Sequence, residues 1–164
     1  MKSTSLAVLI AGMTACAPRE SSTKAARSSD STFAALQQRG ETAMGVNQYT
    51  SQHVFEPLPN GGRIVLQREK TDSIGEGVIR QHMRDVAKAF AAGDFSLPGF
   101  VHATQAVPGT QAMRTLRNEI SYIAQDLPRG GEVIIASNNP KAVAAIHDFL
   151  AFQRLDHRAA RHME

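Results

Sequence analysis

Short runs of apolar and β-branched residues flank two Pro-x-Gly-Gly segments along the chain. Residues 58–66 (LPNGGRIVL) align with residues 127–135 (LPRGGEVII). Gly-Gly can adopt the positive φ angles that tight hairpin turns require, and β-branched residues favour extended backbone. The pattern predicts two β-hairpins, at residues 53–68 and 120–137, each with its turn at the Gly-Gly pair.

A helical pattern follows each hairpin. Apolar residues and one histidine recur at every fourth position after the first hairpin, at Ile74, Val78, His82, Val86 and Phe90, with Ile79 and Met83 widening the stripe. This period predicts a helix with one buried face. Ser73 and Glu76 form a capping box at its start, and Gly93 ends it. Asn139 and Pro140 place a cap and an N1 proline before the second helix.

The second helix is apolar on two sides. Val143, Ile146 and Leu150 share one side, while Ala145, Phe149 and Phe152 share the other. Such a helix has to be covered twice, once by the sheet and once by another surface. The segment between the repeats, residues 94–118, is rich in apolar residues and is one candidate. The other is a second copy of the chain or an envelope protein partner, contacting Phe149 and Phe152.

The order of elements predicts an α+β fold, a two-layer sandwich in which β-β-α occurs twice. A four-stranded antiparallel sheet would carry two helices on one face. The alternative explanation of the repeat is that hairpins share turn chemistry, so that Pro-x-Gly-Gly recurs by chance. The predicted fold does not depend on this choice. We expect one domain over residues 44–158, with a short tail at 159–164.

The N-terminus resembles the export signal of bacterial lipoproteins. Lys2 supplies a positive start, and residues 6–11 form an apolar run too short to anchor the chain by spanning a bilayer. Small residues precede Cys16, as in a lipobox, although Met13 stands where Leu is usual. We therefore expect residues 1–15 to be cleaved and the Cys16 sulfur to be acylated. An ordinary secretory signal, cut near residues 15–17, is the alternative.

This leader predicts an exported protein attached to a bacterial membrane through lipid. Residues 16–43 are polar and predict a flexible tether. Ala17 follows Cys16, whereas an acidic residue there is associated with retention at the inner membrane in the class that this leader resembles. We therefore expect an outer-membrane protein facing the periplasm. Cys16 is the single cysteine, so disulfides cannot stabilise the chain.

Composition narrows the function further. Lys and Arg total 18 against 15 for Asp and Glu, and this excess of +3 does not indicate a nucleic-acid partner. The sequence lacks a Gly-x-Ser-x-Gly elbow, a phosphate-binding loop and a dinucleotide fingerprint. Asp156, His157 and a serine would make a hydrolase triad, but no motif singles them out. A binding protein is therefore favoured over an enzyme.

The six histidines are the main candidates for chemistry. We predict a transition-metal site, for Cu, Zn or Ni, built from His82, His102, His147 and His157, with His53 as a weaker member. His82 lies in the apolar stripe of the first helix, and the repeat places His147 at the corresponding position of the second. The spacing is not diagnostic of a metal. The alternative is that His82 and His147 are core residues bonded to backbone or to a nearby aspartate.

Five segments of the domain resemble a family of small exported bacterial proteins without an assigned activity. They are residues 53–55 with 59–62, 79–83, 93–95, 101–102 with 107–109, and 147–153 with His157. Gln52 stands where such proteins often have a second histidine, which reduces the set of candidate ligands. The resemblance implies a bacterial envelope protein of shared fold and assigns no catalytic residue.

The sequence thus predicts an envelope lipoprotein whose small domain binds a ligand, with a histidine-lined metal site as the specific form. The alternative is a non-catalytic structural or partner-binding module that acts through the apolar face of the second helix.

Overall fold

The computed structural model describes residues 20–159. The helices are α1 (Glu20–Met44), α2 (Ser73–Ala91), α3 (Ser96–His102), α4 (Thr110–Thr115) and α5 (Pro140–Asp156), and the strands are β1 (Ser51–Leu58), β2 (Gly61–Arg68), β3 (Ile120–Leu127) and β4 (Gly130–Ser137). The strands form one antiparallel sheet in the order β1-β2-β4-β3. The predicted α+β class and four-stranded sheet are confirmed. The structure has three helices besides the two predicted ones, α1, α3 and α4, so the β-β-α repeat describes only part of the chain.

The hairpin turns do not lie at the Gly-Gly pairs. Leu58 pairs with Gly61, and Leu127 pairs with Gly130, so each turn consists of the two residues before the glycines. Arg129 adopts the positive φ of the second turn, at 62°. Each Gly-Gly pair instead begins a strand, and the predicted turn position is wrong by two residues.

The glycines are required where the two central strands meet. A Cβ on Gly61 would lie 2.0 Å from the carbonyl oxygen of Ile135, and one on Gly130 would lie 2.1 Å from that of Leu66. Such distances are far inside van der Waals contact, so a side chain would push β2 and β4 apart. The two repeats therefore share a packing constraint at equivalent positions.

Each of the two predicted helices, α2 and α5, covers the strands of the other repeat. Helix α2 packs mainly on β3 and β4, while α5 packs mainly on β1 and β2. Their contact residues form a continuous core, whose fully buried members include Leu66, Ile79, Val133, Ile146 and Leu150. Burial of this apolar surface stabilises the fold, as the lack of a disulfide requires.

The N-cap of α2 differs from the prediction, whereas that of α5 agrees with it. Asp72, and not Ser73, caps α2, because its Oδ1 accepts a hydrogen bond of 3.1 Å from the Gly75 amide. The N-terminal end of the predicted stripe is exposed, with Ile74 81 % accessible. Asn139 caps α5 as predicted, its Oδ1 accepting from the Lys141 amide at 2.9 Å.

The second apolar side of α5 is covered by the chain itself. The Phe149 ring is 1 % exposed and lies 5.7 Å from the Phe90 ring centre and 6.3 Å from that of Phe95. Helix α4 packs against α5 as well. Phe152 is half-buried. The segment between the repeats therefore covers Phe149, as the first of the two alternatives predicted, and contact of a second copy or an envelope protein partner with Phe152 stays a prediction.

The predicted tether is helical throughout its described part. Helix α1 buries Leu36, and the Arg39 guanidinium donates a hydrogen bond of 2.7 Å to the Val101 carbonyl in α3. The Arg158 guanidinium lies 4.2 Å from the centre of the Phe33 ring. The serines and charges of this segment suggested a linker, but Phe33 and Leu36 lie at helical spacing and pack on the domain.

Several sequence predictions fall outside the described residues. These are the leader at 1–15, the lipidation site Cys16 and the last five residues of the tail. Within residues 20–159, no helix is both long enough and apolar enough to cross a membrane.

Candidate functional site

Four histidines line one cavity inside the domain. The cavity has a volume of about 70 Å³ and lies between the end of α1, β1, α2, α3 and the end of α5. The histidines are His53, His82, His102 and His157. The remaining wall is largely apolar, with Ile64, Val86, Phe90, Val101 and Phe149 among its residues. We call this space the histidine cavity.

Local structure explains how each histidine reaches the cavity. His53 and Phe55 lie on the same face of β1, the one that meets the helices, since every second residue of a strand points to the same side. His82 lies on the buried side of α2, next to Met83. His102 ends α3, and His157 is the C-cap of α5. The cavity therefore joins residues from both repeats and from the segment between them.

The His157 imidazole contacts two others. The ring centres of His53 and His157 are 5.0 Å apart, and those of His102 and His157 are also 5.0 Å apart. His157 thus lies between the other two rings. Phe55 packs against the same ring with its centre 5.3 Å away.

His102 is held by hydrogen bonds at both ring nitrogens. Its Nδ1 donates to the Asp156 carboxylate, and its Nε2 lies 2.8 Å from Gln153 Oε1. The side chain is only 1 % exposed. A carboxylate at one nitrogen is the usual means of orienting a functional imidazole. In this structure, however, both nitrogens are occupied.

His157 carries a buried nitrogen without a partner. Its Nδ1 has no hydrogen-bond partner among residues 20–159 and no solvent contact. Burial, and then the nearby His53 and His102, lower the pKa of His157 to about 2. The ring is neutral at physiological pH. Buried polar atoms are normally paired, so an unpaired Nδ1 is a candidate ligand atom.

His53 contacts a methionine sulfur. Its Nε2 lies 3.4 Å from Met44 Sδ, at the end of α1. Burial, and then His82, lower the pKa of His53 to about 4. Sequence reasoning missed Met44 because it adjoins the predicted tether. Its spacing of eight residues from Leu36 along α1 was the available signal.

His82 and His147 have different surroundings, although the repeat makes them equivalent. Burial lowers the pKa of His82, with Asp85 opposing that shift. His147 does not line the histidine cavity, and its Nε2 donates to the Leu58 carbonyl at 2.9 Å. The structure thus brings together His82, His102 and His157 with His53, and leaves His147 in the backbone-bonded role that was the alternative.

The cavity contains no ready-made site of the common metal-ligand residues. Among residues 20–159, no three His, Cys, Asp or Glu side chains form a group that could hold a metal ion. The four-histidine site expected from sequence is therefore not assembled in that form. Binding of Cu, Zn or Ni stays a prediction.

Comparisons with protein-family models, curated proteins and solved structures find no match for this chain. The fold and the site define it as an α+β protein with a four-stranded antiparallel sheet and an internal cavity lined by histidines. Its resemblance to a family of exported bacterial proteins stays a prediction.

Proposed function

We propose that this protein binds a single transition-metal ion in the histidine cavity, as a lipid-anchored protein of the bacterial envelope. The observation that carries the proposal is the buried, unpartnered Nδ1 of His157, in a neutral ring between two other imidazoles.

The protonation of the cavity favours a metal. A metal ion binds the lone pair of a neutral imidazole, whereas an imidazolium must first lose a proton, so neutral rings bind more tightly at a given pH. His53 and His157 both have pKa values well below 6.5 because they are buried. At neutral pH these two rings therefore bind an ion without first losing a charge.

The spacing of the rings is compatible with a shared ion. Two imidazoles on one tetrahedral ion, bound at about 2.0–2.1 Å, have ring centres roughly 5 Å apart. The His53–His157 separation has this value. The hydrogen bonds of His102 make it a positioning residue beside the ion, since its nitrogens are already occupied.

The test of metal binding is calorimetric titration of the full mature chain in detergent with Cu, Zn and Ni. We expect one ion per chain. His157→Phe keeps an aromatic ring but removes the nitrogen ligand, and it should weaken binding about tenfold or more. His147→Gln is the matched control, because it alters a histidine outside the cavity. Equal losses in both variants, or no stoichiometric binding at all, would refute the proposal.

The proposed location has its own test. Acylation of Cys16 should add the mass of its fatty chains to the mature protein and retain it in the membrane fraction, and Cys16→Ser should abolish both. Recovery of unacylated full-length chain from the cytosol, with its initiator methionine, would contradict this part of the proposal.

A further inference from the structure

We infer that the ion is Cu(I), bound by the Met44 thioether together with His53 and His157. This inference rests on the proposed function and adds to it the identity of the metal and a sulfur ligand. It is carried by the contact between Met44 Sδ and His53 Nε2 inside the histidine cavity.

The separation of these two atoms suits one bound ion. Their distance is 3.4 Å. A nitrogen and a sulfur bound to the same ion, at about 2.0–2.1 and 2.3 Å, lie roughly 3.3–3.6 Å apart at near-tetrahedral angles. An ion can therefore enter between Met44 and His53 with little movement of either side chain. On binding, the single ring proton of His53 moves from Nε2 to Nδ1, so the imidazole stays neutral.

The chemistry of the donors selects a soft ion. Thioether sulfur favours Cu(I), whereas carboxylate, carbonyl and water oxygens favour Mg, Ca and Mn. Among the described residues that line the cavity there is no Asp, Glu or Cys. The apolar wall also favours a single positive charge, since burying a charge is costly and the cost rises with its magnitude.

The small number of free ligands agrees with this choice. Three imidazoles do not meet around a common point, so a full tetrahedral histidine site is lacking in the described part of the chain. Cu(I) is stable with as few as about two or three soft or imidazole ligands. Met44, His53 and the unpartnered nitrogen of His157 supply that number.

A competition experiment tests the role of the sulfur. The full mature chain in detergent is titrated with Cu(I) against a chromophoric Cu(I) chelator, under reducing and oxygen-free conditions, and separately with Zn²⁺. Met44→Leu conserves volume and removes the thioether, so Cu(I) affinity should fall about tenfold or more. Affinity for Zn²⁺ should change less than about twofold, since a thioether contributes little to Zn²⁺.

Met83→Leu is the matched control. Met83 lines the same cavity and is similarly buried, at 3 % exposed against 8 % for Met44. Cu(I) affinity should be unchanged in this variant. X-ray absorption at the copper edge should detect a sulfur neighbour in the wild type and in Met83→Leu, and none in Met44→Leu. If Met44→Leu fails to fold, the wild-type spectrum alone decides, because a copper site without sulfur overturns the inference.

The outcomes separate this inference from the proposed function. Metal binding that depends on His157 but not on Met44, or a preference for Zn²⁺ over Cu(I), overturns the copper assignment and leaves the proposed function standing. If none of Cu, Zn and Ni binds, both fall.

Discussion

The two β-β-α halves of this protein have equivalent strands, but their histidines have different roles. At the centre of the sheet, Gly61 and Gly130 meet the opposite strand in the same way. On the helices, His82 lines the cavity whereas His147 bonds the Leu58 carbonyl. The difference teaches that the repeat conserves backbone packing, while additions outside it decide which side chains form a site. Helix α3 and the ends of α1 and α5 supply His102, Met44 and His157.

Substitution of the central glycines tests whether the two halves have equivalent strand packing. Gly61→Ala and Gly130→Ala should each destabilise the protein by roughly 3–5 kcal/mol, because the new Cβ meets a backbone oxygen that cannot move away. Chemical unfolding measures this. Gly77→Ala is the control, because Gly77 lies at an exposed position of α2 and a Cβ there has nothing within 4 Å. This variant should be more stable than the wild type by roughly 0.5–1 kcal/mol. A mild effect at only one central glycine would show that the halves are not equivalent.

Acid should destabilise the protein through the buried histidines of the cavity. His53 and His157 have lower pKa values folded than unfolded, so the unfolded state binds more protons as the pH falls. Their contribution is complete above pH 6.5 and is lost on acidification. For His53 the loss develops between pH 6.5 and about 4 and reaches up to roughly 3 kcal/mol, and for His157 it continues to lower pH.

Unfolding of the metal-free protein at a series of pH values measures this loss. His53→Phe should flatten the dependence. Stability independent of pH between 6.5 and 4 would contradict the burial of the imidazoles.

The structural role of His147 gives the smallest expected effect. His147→Phe removes the donor to the Leu58 carbonyl and should cost about 1 kcal/mol, whereas His147→Gln should restore most of it by donating from its amide. Thermal unfolding of the two variants measures the difference. A loss of metal affinity in His147→Gln would instead return this residue to the ligand set and weaken the distinction between the halves.

Local patterns predicted the parts of the fold that local interactions form. The runs of β-branched residues, the two Pro-x-Gly-Gly segments and the cap at Asn139 predicted both hairpins and the start of α5, since these depend on neighbours in sequence. Helix α1 escaped prediction because its serines resemble a linker and its stability comes from contacts with α3 and Arg158. The exact turn positions also escaped it, because Gly61 and Gly130 are required by a distant strand.

The candidate site depended more heavily on tertiary structure. Sequence identified the residue type, and of five named histidines four reached one cavity. The sequence could not show that His147 lies outside the cavity or that Met44 lines it. Periodicity indicates which face of a helix is buried, but not which residues pack against that face.

By itself, the sequence determined the α+β class, the strand order within each hairpin and the need to cover both sides of α5. Only the tertiary structure decided that the chain covers Phe149 with its own segment, and that His157 lies between two imidazoles with its Nδ1 unpaired. The physical reason is that secondary structure follows from interactions over a few residues. A cavity is formed where side chains distant in sequence fail to fill the space between them.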